Sequence, residues 1–155
     1  MKIKFQLLLL MLTISNIGIG QNLNMVIQVN EKLVTSEISN LCLNFENVDG
    51  EKNRILINYY PGDLVLDNDI WGKINSETTK KITLTFDYNT YKNNERQIGN
   101  FSVEMQKYHF DKRYLILNIY DFRERKYRKW YGCLTDKEFI AELNFSQGGI
   151  LIRCK

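Results

Sequence analysis

The chain has one histidine, His109, and an acid–base reading of the sequence begins there. Asp111 stands two residues further on, and neighbours at that spacing share a face if the segment is a strand. An imidazole next to a carboxylate is therefore geometrically allowed. A hydrolase also needs a nucleophile and an oxyanion site, and no nucleophile elbow occurs in the sequence. A lone histidine cannot build a histidine-rich zinc site either. No catalytic residue and no cofactor are assigned.

The nearest approach to a metal motif starts at Asp67. Set against the calcium loop of an EF-hand, Asp67 and Asp69 fall on the first and third ligand positions and Gly72 on the turn glycine. Trp71 then occupies the fifth ligand position and Thr78 the place of the bidentate glutamate, which breaks the pattern. Pro61-Gly62 precede it and a strand pattern follows, where an EF-hand has helices. The expectation is an acidic loop between strands. Asp67 and Asp69, joined by Asp63, are kept as a candidate for a calcium site of another kind.

A denser signal lies near the C-terminus. Arg123, Arg125, Lys126, Arg128 and Lys129 are interleaved with Phe122, Tyr127, Trp130 and Tyr131. Cations beside aromatic rings can hold single-stranded nucleic acid, but the N-terminal signal described below makes nucleic acid a poor partner. An acidic protein, an anionic glycan or a membrane surface fits better. The plainer reading is an edge hairpin whose cations prevent strand-to-strand aggregation. Trp71, Trp130 and Tyr91 also lie near expected strand ends, where rings either close the core or stack on sugars.

Residues 1–20 read as a secretory signal peptide, with Lys2 and Lys4 before the apolar run from Phe5 to Ile14. Gly18 and Gly20 stand at −3 and −1 of a cut that leaves Gln21 first. That apolar run is shorter than the roughly 20 residues of a spanning helix, and no transmembrane span is expected after processing. Removing two lysines takes the formal charge from +3 to +1, too little to require an acidic polymer as partner. An oxidising compartment permits disulfides. Three cysteines leave at least one thiol over, and Cys133 with Cys154 is the favoured pair, against three small buried apolar side chains.

The elements that must hold these groups are mainly strands. There is one alanine, and β-branched and aromatic residues abound. Leu23, Met25, Ile27 and Val29 alternate with polar or smaller residues; so do Leu41, Leu43 and Phe45, and again Ile82, Leu84, Phe86 and Tyr88. Further strands are expected over 54–60, 99–110, 114–122, 125–131, 138–145 and 150–154. The run 114–120 is apolar on both faces, which predicts a central strand. Asp49-Gly50, Asn93-Asn94 and Gly148-Gly149 supply turns. Thr135 to Glu138 also matches a helix capping box, but the alternation of Phe139, Ala141, Leu143 and Phe145 favours a strand.

The expected architecture is one all-β domain over 21–155, an antiparallel sandwich or barrel of about eight or nine strands. The expected function is that of an exported, non-enzymatic binding or structural module of the bacterial cell envelope. It would be secreted or periplasmic and act through protein contacts, an inhibitor or immunity-type protein being a special case. A carbohydrate-binding module using Trp71, Trp130 and Tyr91 is the alternative.

Overall fold

The computed structural model describes residues 22–92, 94–133 and 136–145. The chain is mostly β. Ten strands occur among these residues: β1 (Met25–Val29), β2 (Lys32–Leu33), β3 (Ile38–Asn47), β4 (Lys52–Leu56), β5 (Asn58–Tyr60), β6 (Asp63–Val65), β7 (Thr79–Lys92), β8 (Glu95–Met105), β9 (Leu115–Asp121) and β10 (Phe139–Asn144). Three short helices intervene: α1 (Asn68–Asn75), α2 (Lys107–Phe110) and α3 (Arg125–Tyr131).

One four-stranded sheet has the order β4-β3-β7-β8, a second has β10-β9-β1-β2, and β5-β6 form a separate ribbon. Neither four-stranded sheet closes on itself among the described residues. Burial follows the alternation: Met25, Ile27 and Val29 of β1 and Leu115, Leu117 and Ile119 of β9 are fully buried. They join one core with Leu43 and Phe45 of β3, Leu84 and Phe86 of β7, and Phe101 and Val103 of β8. Each such side chain stabilises the fold by roughly 1.5–3 kcal/mol through apolar burial. Ile70 and Ile74 of α1 close this core, and Leu23 bridges to Leu64 to tie the β5-β6 ribbon to it.

Turn chemistry agrees with the residue types. Val29 pairs with Lys32 around Asn30 and Glu31, both at positive φ (54° and 65°), as a two-residue hairpin demands. Gly50 adopts φ 86° between β3 and β4, and Asn94 φ 64° between β7 and β8. As the two-faced apolar pattern predicts, β9 is central, between β10 and β1. The alternating residues that follow the competing capping box form strand β10, paired Phe139↔Asp121 through Asn144↔Ile116.

Four expectations are corrected. The pairing is not antiparallel throughout, because β1 runs parallel to β9, from Met25↔Leu115 to Val29↔Ile119. Residues 125–131 form helix α3 rather than a hairpin strand, since Tyr127, Trp130 and Tyr131 stand at i, i+3 and i+4 and pack on one side. The expected acidic loop after Asp67 is α1, where Asp67 is the N-cap: its Oδ1 accepts from the Ile70 N–H at 2.8 Å. Strand β8 stops at Met105, and His109 belongs to α2. The expected strand 150–154 and the Gly148-Gly149 turn lie outside the described residues.

Candidate binding site

Two surfaces meet at the end of β9. The first is helix α3. Tyr127 and Tyr131 are buried with Tyr120 and Phe122 of the β9 segment in an aromatic cluster separate from the main core, and Trp130 and Ile140 pack against it. Tyr120 and Tyr131 ring centres are 4.8 Å apart. That anchoring turns Arg125, Lys126, Arg128 and Lys129 outward, and all four are exposed. Arg128 Nε donates to the Phe122 carbonyl at 3.0 Å, and Lys126 Nζ lies 2.8 Å from Glu31 and 4.5 Å from the centre of the Trp130 ring. The Glu31 bond holds the Lys126 pKa above its ordinary value. Gly132 ends the helix with its N–H on the Arg128 carbonyl at 2.9 Å. A Cβ there would stand 2.5 Å from that same oxygen, so no larger residue fits without moving the turn.

The second surface is an open cleft of about 590 Å³. One wall is the far end of the long β7-β8 ribbon, Tyr88 to Tyr91 with Gln97; the other is Asn30 after β1 and the turn after β9. Its organising pair is Asp121, with a buried side chain, and Arg123. Asp121 Oδ1 accepts from the Arg123 backbone N–H at 2.9 Å; Oδ2 accepts from Nε at 2.7 Å and is also ion-paired with Nη2. Arg123 Nη1 donates to the Ile98 carbonyl at 3.0 Å. Asn30 clamps the turn from below. Its Oδ1 accepts from the Asp121 N–H, and its Nδ2 donates to Glu124, both at 2.8 Å.

Gly99 makes room for this pair. An ideal Cβ at that position would overlap Arg123 Nη2 and lie 3.1 Å from both Arg123 Cζ and Phe101 Cζ. Glycine inside a strand weakens it unless another group must come close, and here that group is the guanidinium. Glu37 across the cleft has a lowered pKa because its carboxylate accepts from the Thr35 backbone N–H at 2.8 Å. Burial raises the pKa of Tyr88.

No protein-family model, curated protein or solved structure matches this chain.

The residues singled out from sequence are distributed as follows. Arg123 belongs to the cleft, whereas Arg125, Lys126 and Arg128 lie on α3. Trp130 and Tyr131 are packing residues of that helix. Trp71 sits on α1, half-buried and edge-on to Phe110 at 6.4 Å between ring centres, while Tyr91, 75% exposed, lines the cleft. Asp67 is occupied as a helix cap and Asp69 stands in the first turn of α1. Among the described residues no group of three or more metal-ligating side chains converges.

His109 is buried, and its Nδ1 accepts from the Gln106 N–H at 2.9 Å. Asp111 is the exposed C-cap of the same short helix. Burial, followed by the charge of Lys112, depresses the His109 pKa. The imidazole thus helps cap a turn. Cys133 is disulfide-bonded and Cys42 is a free, buried thiol; Cys154 lies outside the described residues.

Sequence reasoning missed Asn30, Asp121 and Tyr88 as parts of a site. The available signal was Gly99, an isolated glycine in a strand pattern, which marks a close approach.

Proposed function

We propose that the protein is an exported, non-enzymatic binding module of the bacterial cell envelope that docks an acidic protein partner through α3. The two four-stranded sheets are taken as the layers of a sandwich, with α3 laid on the outer side of β9. The observation that carries this reading is the anchoring of α3: two buried tyrosines hold a seven-residue helix whose four cations all face solvent. Rim charges of one sign accelerate encounter with an oppositely charged surface and select against like-charged ones. The signal-like residues 1–20 support export, and the placement is secreted or periplasmic.

The test is affinity capture from the envelope and secreted fractions, comparing the natural chain with an Arg125→Glu/Lys129→Glu variant. A specific acidic protein retained by the first and lost from the second, at unchanged melting temperature, is the expected result. Equal capture by both would remove α3 from the interaction.

A further inference from the structure

The cleft beside Arg123 is built in a way that packing does not require. Asn30, placed by the β1-β2 hairpin turn, commits both ends of its side-chain amide to the turn after β9. Gly99 gives up a side chain in a strand. Both features lead to the same turn, where Asp121, Arg123 and Asn30 are fixed by the hydrogen bonds described above. A cleft whose polar walls are held before anything binds loses little entropy on binding.

Its charges decide what it suits. The walls carry two cations, Lys32 and Arg123, and three carboxylates, Glu37, Asp121 and Glu124. Arg123 and Asp121 neutralise each other, Glu37 is bonded by Thr35 and Glu124 by Asn30. Two cations against three carboxylates leave one net negative charge on an open, solvated cleft, too little to select an ion. Mixed donors and acceptors remain, with Gln97 and Thr90 paired across the ribbon. Two Arg123 N–H groups, one on Nη1 and one on Nη2, are left over from its three side-chain bonds. Tyr91 adds an exposed ring at the rim.

Alternating donors and acceptors beside one accessible aromatic face complement a pyranose, which has hydroxyls around its edge and C–H groups on its faces. We propose that this cleft is a subsite for a neutral saccharide, bonded by Arg123 and Gln97 and stacked on Tyr91. It is distinct from the α3 face and stands whether or not that face docks a protein.

The purified protein is titrated with chitotriose, cellotriose and maltotriose, and separately with trilysine and triglutamate, while amide and Arg123 Nε–H resonances are followed by NMR. The expected result is saturable shifts at Asn30, Gln97 and Arg123 with at least one neutral trisaccharide, at a Kd of order millimolar. Tyr91→Ala and Gln97→Ala should each weaken that binding by about tenfold or more while leaving the melting temperature unchanged. The proposal is overturned by no saturable shift with any neutral sugar, by binding confined to the charged peptides, or by saccharide shifts that both variants leave intact.

Discussion

Replacing Gly99 with alanine probes the cleft most directly, because the structure predicts an effect that reverses sign with background. The new Cβ would overlap Arg123 Nη2. The backbone of β8 is held by its ladder to β7, so the guanidinium must yield. Its departure breaks the Nε bond and the Nη2 ion pair to Asp121, together with the bond to Ile98. A hydrogen bond to a charged group contributes roughly 1.5–3 kcal/mol. Asp121, 7% exposed, keeps only its backbone donor, whereas Arg123, 40% exposed, recovers water, and that exposure holds the loss near the lower end of the range. Alanine in place of glycine returns roughly 0.5–1 kcal/mol of backbone entropy. The net expectation is a loss of about 0.5–1 kcal/mol.

In an Arg123→Ala background the obstructing group is gone. Gly99→Ala should then be neutral or stabilising by up to about 0.5 kcal/mol, with Phe101 Cζ giving slightly. Urea unfolding of the four proteins yields the coupling, expected at about 1 kcal/mol. Equal cost in both backgrounds would show that Gly99 is needed for something other than seating Arg123.

Three further outcomes follow from single contacts. Among the described residues the buried Tyr131 Oη makes no well-formed hydrogen bond, yet it interacts with Tyr120 and helps raise the Tyr120 pKa; Tyr131→Phe should therefore raise stability by no more than about 1 kcal/mol, read as a higher urea midpoint at constant m, and should bring the Tyr120 pKa down. Asp67→Ala removes the α1 cap and should lower stability by about 1 kcal/mol, while Asp67→Asn should be nearly neutral; comparable losses in both would mean the charge rather than the cap matters. The lowered pKa of His109 means that the folded chain binds fewer protons than the unfolded chain just below pH 6.5. Its contribution is complete above that value and declines as pH falls toward the folded pKa. His109→Gln, whose amide oxygen can still accept from Gln106, should flatten that part of the stability–pH curve, and an unchanged slope would acquit the histidine.

Strands were legible in the sequence wherever one face is buried, because a period of two records burial directly. The two-faced apolar run around Leu117 likewise announced a central strand. Helix α3 reads as a strand in the sequence, since Tyr127 and Tyr131 stand two strand periods apart and a helical face is offered only through Tyr127, Trp130 and Tyr131. Helix α1 was hidden for a related reason: Asp67 resembles a ligand as much as a cap until the Ile70 N–H is seen on it. The parallel pairing of β1 with β9 left no local trace, because alternation assigns faces and not neighbours. The cleft is lined by residues from Val29 to Glu124, distant in sequence, and its one local trace is Gly99, which lies under the Arg123 guanidinium rather than in the lining.

The union of β1 with β9 has a consequence for assembly. Met25 meets Leu115 across 90 positions of chain (115 − 25), whereas the β7-β8 ribbon joins through a short turn and can zip locally. Non-local pairings must overcome loop-closure entropy before they contribute. The order of events should therefore depart from chain order, with β7-β8 forming early and β1, the first strand, captured only once β9 exists. Any product ending before Leu115 would present β1 with its apolar Met25, Ile27 and Val29 and no strand on its inner side, a ready template for association with another chain. Loss of the last quarter of this protein should thus yield aggregates rather than a smaller soluble domain.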